Sequence, residues 1–206
     1  MEKFEKLIGI AAPLLQANID TDIIIPSREI TSPSREGFGE KAFASWRYLE
    51  EGRRENPDFI LNQEPYRRSA ILLTGANFGC GSSREMAVWA LRQFGLRCLI
   101  APSYGAIFAD NCLHNGLLAV TLPAEHIDEL ATLAHTTPLT LEVDLLACEV
   151  RTEGGRTFAF KIGSREREML LLGLDPIGWT FGRCEEIERF FTADRTLRPW
   201  IWWPGE

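Results

Sequence analysis

The chain has 206 residues, of which 45% are hydrophobic and 25% are charged, a balance typical of a folded globular protein. Its formal charge of −7 argues against nucleic-acid binding, which depends on clustered Lys and Arg side chains. No segment approaches the roughly 20 consecutive apolar residues that a transmembrane helix needs. The N-terminal segment 1–7 is charged and has no apolar signal core, so we expect a cytoplasmic protein.

The cysteine and histidine positions indicate neither a disulfide framework nor a metal centre within this chain. The five cysteines are odd in number and include no C-x-x-C pair. The three histidines do not stand at metal-ligand spacing from the cysteines. The sequence alone therefore predicts no bound metal, no zinc site and no complete ligand set for an iron–sulfur cluster.

The N-terminal part mixes short apolar segments with turn formers. Residues 7–15 and 23–25 are predicted to be buried strands, separated by the turn-prone segment 18–22. Residues 26–39 are rich in Pro, Ser and Gly, which predicts an irregular loop. A short helix is expected over residues 41–48.

The middle of the chain has the pattern of a parallel α/β unit. The apolar segment 70–74 predicts a strand, and a Gly-rich turn follows at 75–81. A helix is then expected from Ser82 to Phe94, with apolar residues at helical spacing. Further strands are predicted over 96–101 and 117–122, with a turn and a short helix between them. This alternation of strands and helices is typical of a parallel sheet.

The C-terminal part is predicted to add helices and a hairpin. A short helix is expected over 123–135, and residues 139–150 and 157–162 alternate as the two strands of a hairpin. Two more helices are expected over 165–174 and 184–191.

The segment Phe78–Glu85, which reads FGCGSSRE, combines glycines, two serines and an arginine where a strand gives way to a helix. Glycines let the backbone approach a ligand closely, and free N–H groups at a helix start favour an anion. Arg84 adds a planar set of donors for a carboxylate, and a serine beside it could act as a base or proton donor. Alternatively, Ser82 only caps the helix, because Ser82 and Glu85 match a capping box. The residues alone leave both interpretations open.

Other site types fit this segment poorly. A phosphate loop needs a Lys after its second glycine, and the glycine spacing does not match a dinucleotide-binding fingerprint. A serine-hydrolase elbow needs a glycine two positions after the serine, and no His–Asp pattern supports such an enzyme. An anion- or iron-responsive binding module that acts alone and without catalysis is a further hypothesis, but pure binding has no need of a serine base.

Several separated motifs resemble the small subunits of 3-isopropylmalate dehydratase, which are related to the C-terminal domain of aconitase. The string NFGCGSSREMAVWAL at 77–91 carries the resemblance most clearly. It is accompanied, in matching order along the chain, by NIDTDIIIP at 18–26, LIAPSYGAIFADNCLHNGLLAV at 99–120 and GLDPIG at 173–178. The resemblance implies an α/β fold in which residues 1–206 form one swivelling β/β/α domain of the aconitase C-terminal type, with a C-terminal tail at 190–206.

The resemblance also implies that this chain supplies half of an active site. Ser82 would take the proton next to a substrate carboxylate, Arg84 would stabilise charge on the substrate, and Ser83 would help to hold it. Asp20 and Thr21 would line the cleft, although the residues alone also allow a simple Asx-turn there. The partner would be a large subunit carrying a [4Fe–4S] cluster whose open iron acts as a Lewis acid, and this chain itself would bind no cofactor.

Within the family, the loop corresponding to residues 27–39 recognises the substrate's side chain. Arg28 and Thr31 are the expected contacts, and Glu29 stands where the family usually has an aromatic residue. A charge against an isopropyl group would be costly unless it points away. The expected reaction interconverts 2-isopropylmalate and 3-isopropylmalate in leucine biosynthesis by dehydration and rehydration. The altered loop leaves open an alternative, a related hydro-lyase acting on citramalate, another methyl-substituted malate or homocitrate.

Overall fold

The computed structural model describes residues 1–31, 34–49 and 53–202, in which strands and helices alternate from β2 to β5 as named below. The strands are β1 Lys6–Leu14, β2 Ile71–Thr74, β3 Cys98–Ala101, β4 Leu118–Thr121, β5 Thr140–Asp144, β6 Glu149–Thr152 and β7 Thr157–Ala159. The helices are α1 Thr21–Ile24, α2 Ala44–Arg47, α3 Glu85–Phe94, α4 Ala106–His114, α5 Ala124–Thr136, α6 Ser164–Leu172, α7 Pro176–Phe181 and α8 Cys184–Leu197. Within these ranges, no helix has the length and apolar character needed to cross a bilayer.

The strands form one sheet in the order β4-β3-β2-β1-β5-β6-β7. β1 to β4 pair in parallel, whereas β5, β6 and β7 are antiparallel to their neighbours. β1 is the junction, because Ile10 pairs with Thr140 of β5 and the next residue, Ala11, pairs with Ile71 of β2. The loops that follow β1, β2 and β3 therefore leave the sheet at the same edge, where parallel sheets usually place their ligand sites.

The burial pattern of each half of the sheet matches its strand direction. β2 and β3 are buried at every position, as expected for parallel strands that are covered on both faces. Leu72 packs into one core with residues of α3 and α4, and its neighbours Ile71 and Leu73 pack into a second core with residues of α5. β5 and β6 alternate between buried and half-buried positions, so one face of this part is only partly covered.

The structure corrects two of the predicted strands. The segment predicted as a strand at 23–25 is largely helical, because Asp20 caps α1 by accepting a hydrogen bond from Ile23 N at 2.8 Å. The predicted strand at 139–150 is two antiparallel strands, β5 and β6, which pair with each other. The predicted parallel unit and the hairpin between β6 and β7 are confirmed.

The C-terminal region also departs from the prediction. The helix expected at 184–191 continues to Leu197 as α8, so the first part of the predicted tail is helical. The aromatic end then folds back on α8: the rings of Phe191 and Trp202 lie 5.4 Å apart, and Trp202 Nε1 donates to Asp194 Oδ2 at 3.1 Å. Residues 203–206 of the predicted tail, and residues 32–33 of the predicted recognition loop, lie outside the described residues.

Candidate active site

Two loops run side by side at the carboxyl edge of the parallel strands. One follows β1 and contains Asp20, and the other follows β2 and spans residues 75–84; we call the second the serine loop. Their pairing continues the parallel ladder beyond the ends of the strands. The backbone hydrogen bonds between them are Asn18 N to Ala76 O (2.8 Å), Gly79 N to Ile19 O (2.7 Å) and Thr21 N to Cys80 O (2.9 Å).

The serine loop is also held from its other side. Phe78 N donates to Ser103 O at 3.1 Å, and Gly105 N donates to Phe78 O at 2.9 Å, so the segment after β3 pairs with it as well. The serine loop is thus the middle of three extended segments. Its position is set by backbone hydrogen bonds, which do not depend on the identity of most of its side chains.

Gly79 is required by the geometry of this arrangement. Its φ is +72°, in the left-handed region that favours glycine, and a Cβ at this position would lie 2.1 Å from a ring carbon of Phe108. That ring packs edge-to-face against Phe78, with centroids 5.5 Å apart. The close approach of the loop to α4 therefore depends on the missing side chain.

A side-chain contact fixes Ser82 to the loop after β1. Ser82 N donates to Thr21 Oγ1 at 3.1 Å, and the same hydroxyl donates to Ser82 O at 3.0 Å. Thr21 is buried, whereas Ser82 is exposed. Asp20, the residue before Thr21, caps α1 and forms an isolated parallel bridge with Cys80. The structure thus brings together Asp20, Thr21 and Ser82, which the sequence separates by about 60 positions.

The structure rules out the capping role of Ser82. α3 begins at Glu85 with Arg84 at its N-cap position, and no side chain caps its first turn. Ser82 and Ser83 precede the helix and are exposed. The predicted start of the helix at Ser82 is therefore wrong, and the match to a capping box does not explain this serine.

Arg84 forms an ion pair with Asp22, a residue that the sequence had not singled out. The guanidinium donates through Nη1 to Asp22 Oδ1 and, at 3.4 Å, to Ile25 O. Ser27 Oγ donates to the same carboxylate oxygen at 2.9 Å. The hydrogen bond from Arg84 holds the pKa of Asp22 below its ordinary value. In the sequence, the one signal for this contact was the second acid of the segment Asp20-Thr21-Asp22. Only the helical turn of α1 brings that acid to Arg84.

The remaining predicted residues, Arg28 and Thr31, lie on the segment that follows Ser27, which is joined to Arg84 through Asp22. Arg28 Nη2 donates to Ser45 Oγ at 3.2 Å, and Thr31 is exposed at the end of the first described range. Glu29 Oε2 accepts from Arg53 Nη1 at 2.9 Å, so its charge is paired within the chain. A cavity of about 370 Å³ lies here, lined by Arg28, Glu29, Ser45, Tyr48 and Arg53 among others.

The described residues do not converge as metal ligands. No group of three or more His, Cys, Asp or Glu side chains among them could hold a metal ion. Cys98 and Cys112 are fully buried, and burial raises the pKa of both thiols, which disfavours the thiolate form that metals bind. Cys80 lies in the serine loop and is half-buried.

Comparisons with known proteins assign this pair of loops to a family. The family described as Aconitase C-terminal domain matches residues 1–125, a range that contains both loops. A 3-isopropylmalate dehydratase small subunit from Cupriavidus necator is 51% identical over 209 aligned positions that cover the whole of both chains. The chain belongs to the 3-isopropylmalate dehydratase small-subunit family. Another member, from Rhodospirillum rubrum, is 48% identical and covers 98% of this chain and 97% of its own length.

The fold of this small-subunit family member also matches a solved structure. A crystal structure of 3-isopropylmalate dehydratase (leuD) from Methanocaldococcus jannaschii superposes with a TM-score of 0.65, covering 89% of this chain and 98% of the other. The two sequences are 24% identical, so this match shows the shared fold. The prediction of an aconitase C-terminal type of α/β fold is confirmed.

Proposed function

We propose that this chain is the small subunit of a 3-isopropylmalate dehydratase, a hydro-lyase of leucine biosynthesis that is active only with its large subunit. The observation that carries the proposal is the serine loop, in which Ser82 is exposed at the carboxyl edge of the sheet while Thr21 fixes its backbone. The substrate follows from full-length relatives that are 51% and 48% identical and carry this name.

The proposed reaction moves a hydroxyl group between adjacent carbons. Ser82, as its alkoxide, removes the proton from the carbon next to a carboxylate, and the hydroxyl on the neighbouring carbon leaves with its C–O electron pair and takes a proton from solvent to become water. The electron pair of the broken C–H bond becomes the new C=C bond. In the second half, a water molecule releases one proton to solvent as its oxygen bonds to the carbon that lost the proton, and Ser82 gives its proton to the carbon that lost the hydroxyl. Atoms balance over the cycle, since the substrate and product are isomers.

Arg84 is proposed to hold a substrate carboxylate, with Ser83 next to it as a further donor. Within the described part of the chain, both hydrogen bonds of the guanidinium use Nη1. The Nε and Nη2 donors therefore stay available for a bidentate contact with a carboxylate. The ion pair with Asp22 keeps the guanidinium in one orientation before the substrate arrives. Asp20 and Thr21 act by holding the serine loop in place, and we assign Arg28 and Thr31 to the recognition of the substrate's side chain.

The proposed partner is a large subunit that carries a [4Fe–4S] cluster. The cluster would supply a Lewis acid for the departing hydroxyl. Among the described residues, no three His, Cys, Asp or Glu side chains could together hold a metal ion, and we assign the ligands of the cluster to the partner. We also propose a cytoplasmic location for the complex. The alternative substrates, citramalate, another methyl-substituted malate or homocitrate, are not favoured by the names of the relatives.

Anaerobic reconstitution with the large subunit of the same organism tests the function. The unsaturated acid formed by dehydration conjugates a C=C bond with a carboxylate, so its ultraviolet absorbance reports turnover directly. We expect 3-isopropylmalate to be dehydrated with the highest kcat/KM among a panel of substituted malates. The proposal fails if no malate is turned over although the large subunit carries an intact cluster. A higher kcat/KM for citramalate or homocitrate would instead change the assigned substrate and leave the proposed reaction type in place.

A further inference from the structure

The recognition segment, residues 27–31, is held by side chains that reach it from residues 41–53. The segment contains one turn of 3-10 helix, Ser27–Glu29. Lys41 Nζ donates to Glu29 O at 2.7 Å, and Arg53 Nη1 donates to Glu29 Oε2 at 2.9 Å. Two cations thus hold Glu29, one through its backbone and one through its carboxylate.

Arg53 is itself fixed by contacts other than Glu29. Its Nη2 donates to Glu40 O at 3.2 Å, and its guanidinium lies 4.7 Å from the centre of the Tyr48 ring. Tyr48 OH donates to the same Glu40 oxygen at 2.8 Å. The Glu29 side chain is 16% exposed and that of Arg53 is 52% exposed, so the carboxylate is sheltered while solvent reaches the pair from the side of the guanidinium. The carboxylate therefore meets a preorganised cation.

The other end of the recognition segment contacts Asp22, the ion-pair partner of Arg84. Ser27 Oγ donates to Asp22 Oδ1, the oxygen that also accepts from Arg84. A single turn therefore connects Glu29 to the ion pair of Arg84, and Arg28 lies within this turn. A shift of Glu29 would move both the wall of the 370 Å³ cavity and the group that orients Arg84.

We propose that the Glu29–Arg53 ion pair is a positioning element that sets where the recognition segment stands relative to Arg84, and thereby the discrimination between substituents of the malate substrate. This inference rests on the proposed function. Glu29 acts through Ser27 and Arg28 and does not contact the substrate. Glu29 stands at a position that is usually aromatic in the family. Its charge is accommodated here by Arg53 of the same chain.

A double-mutant cycle in the reconstituted enzyme tests the inference. Glu29→Gln removes the charge and keeps the length of the side chain, and Arg53→Met removes the charge and keeps an unbranched apolar stem. For 3-isopropylmalate, we expect each variant to raise KM roughly 3- to 30-fold with little change in kcat. The ratio of kcat/KM for 3-isopropylmalate to that for citramalate should shift in the same direction in both. The double variant should be no worse than either single variant, whereas additive losses or an unchanged ratio would overturn the inference.

A matched control and a second measurement separate this inference from the proposed function. Arg156→Met breaks an exposed ion pair with Glu129 on another part of the surface and should leave KM and the substrate ratio unchanged. In the isolated chain, Arg53→Met should speed hydrogen exchange at Glu29 N and Ile30 N, which close the 3-10 turn, by at least severalfold. Unchanged exchange there would overturn the positioning role even if the enzyme turned over none of the tested malates. Faster exchange without turnover would contradict the proposed function alone.

Discussion

The serine loop and the recognition segment lie close together but are held in different ways. The serine loop is the middle of three paired segments, and backbone hydrogen bonds fix it on both sides. The recognition segment depends on side-chain contacts, from Lys41 and Arg53 to Glu29 and from Ser27 to Asp22. Backbone pairing tolerates most substitutions, whereas a side-chain contact is lost with a single one. This difference would let the reaction stay constant while the substrate preference changes.

The largest expected effect is on turnover, from Ser82→Ala in the serine loop. Loss of the base should lower kcat of the reconstituted enzyme by roughly 10²- to 10⁴-fold. The free energy of unfolding should change by less than about 0.5 kcal/mol, because the side chain is exposed and the backbone makes the contacts with Thr21. The control is Ser164→Ala, an exposed serine at the start of α6. If the Ser82 variant kept the kcat of the wild type, Ser82 would not be the base.

The next effect tests whether the backbone of the serine loop is as constrained as its geometry indicates. Gly79→Ala should cost about 2–4 kcal/mol of stability, because the left-handed φ and the contact with Phe108 both oppose a Cβ. Gly155→Ala is the matched control, since its φ is +80° but no atom lies within 4 Å of the added Cβ. Urea unfolding of both variants measures the difference. Equal losses would mean that the contact with Phe108 does not constrain the loop.

A smaller effect is expected where one side chain links the two loops. Thr21→Val keeps the shape but removes the hydroxyl that bonds Ser82, which should cost about 1 kcal/mol. Turnover should fall about tenfold, since the serine would be less well oriented. Thr192→Val removes an exposed hydroxyl of α8 that donates to Glu188 O within the same helix. This control should change neither the free energy of unfolding nor the turnover. Unfolding curves together with kcat distinguish the two variants.

The effect on stability expected at Asp22 is smaller than those expected at Gly79 and Thr21. Asp22→Asn should cost less than about 1 kcal/mol, because the carboxylate is 52% exposed and solvent screens its pair with Arg84. The pKa of Asp22 is lowered in the folded chain, so this contribution is fully present above the ordinary Asp pKa of about 3.9 and disappears as the pH falls through the lowered value. The difference between variant and wild type should therefore be constant from about pH 5 to pH 8.

Turnover is the more sensitive readout for Asp22. A less ordered Arg84 should raise KM while kcat changes little, since Ser82 is untouched. Asp128→Asn, on the distant helix α5, is the control for removing one acidic charge. An equal rise of KM in both variants would indicate an effect of overall charge and not of the ion pair.

The sequence predicted the parallel unit well because its signals are local. The apolar runs at 71–74 and 98–101 are typical of strands that are buried on both faces of a sheet. The apolar spacing of α3 is typical of a helix that packs one face against such a sheet. The C-terminal helices were predicted less well. α8 is exposed at most of its positions, its buried residue is Asp194, and it carries both charged and aromatic residues, so its periodicity gave no clear end.

By itself, the sequence indicated the roles that we propose for Ser82 and Arg84 only through its resemblance to a known family, since the residues of the loop also allowed Ser82 to be a helix cap. It did not determine whether residues 21–24 form a strand or a helical turn, because Ile23 and Ile24 suit a buried position in either. The tertiary structure decided this by placing Asp20 at the cap of α1, beside Cys80. The same placement brings Thr21 to Ser82 across 61 positions of sequence and Asp22 to Arg84 across 62. Such contacts depend on which strands are neighbours in the sheet, and no local sequence pattern predicts the order of the strands.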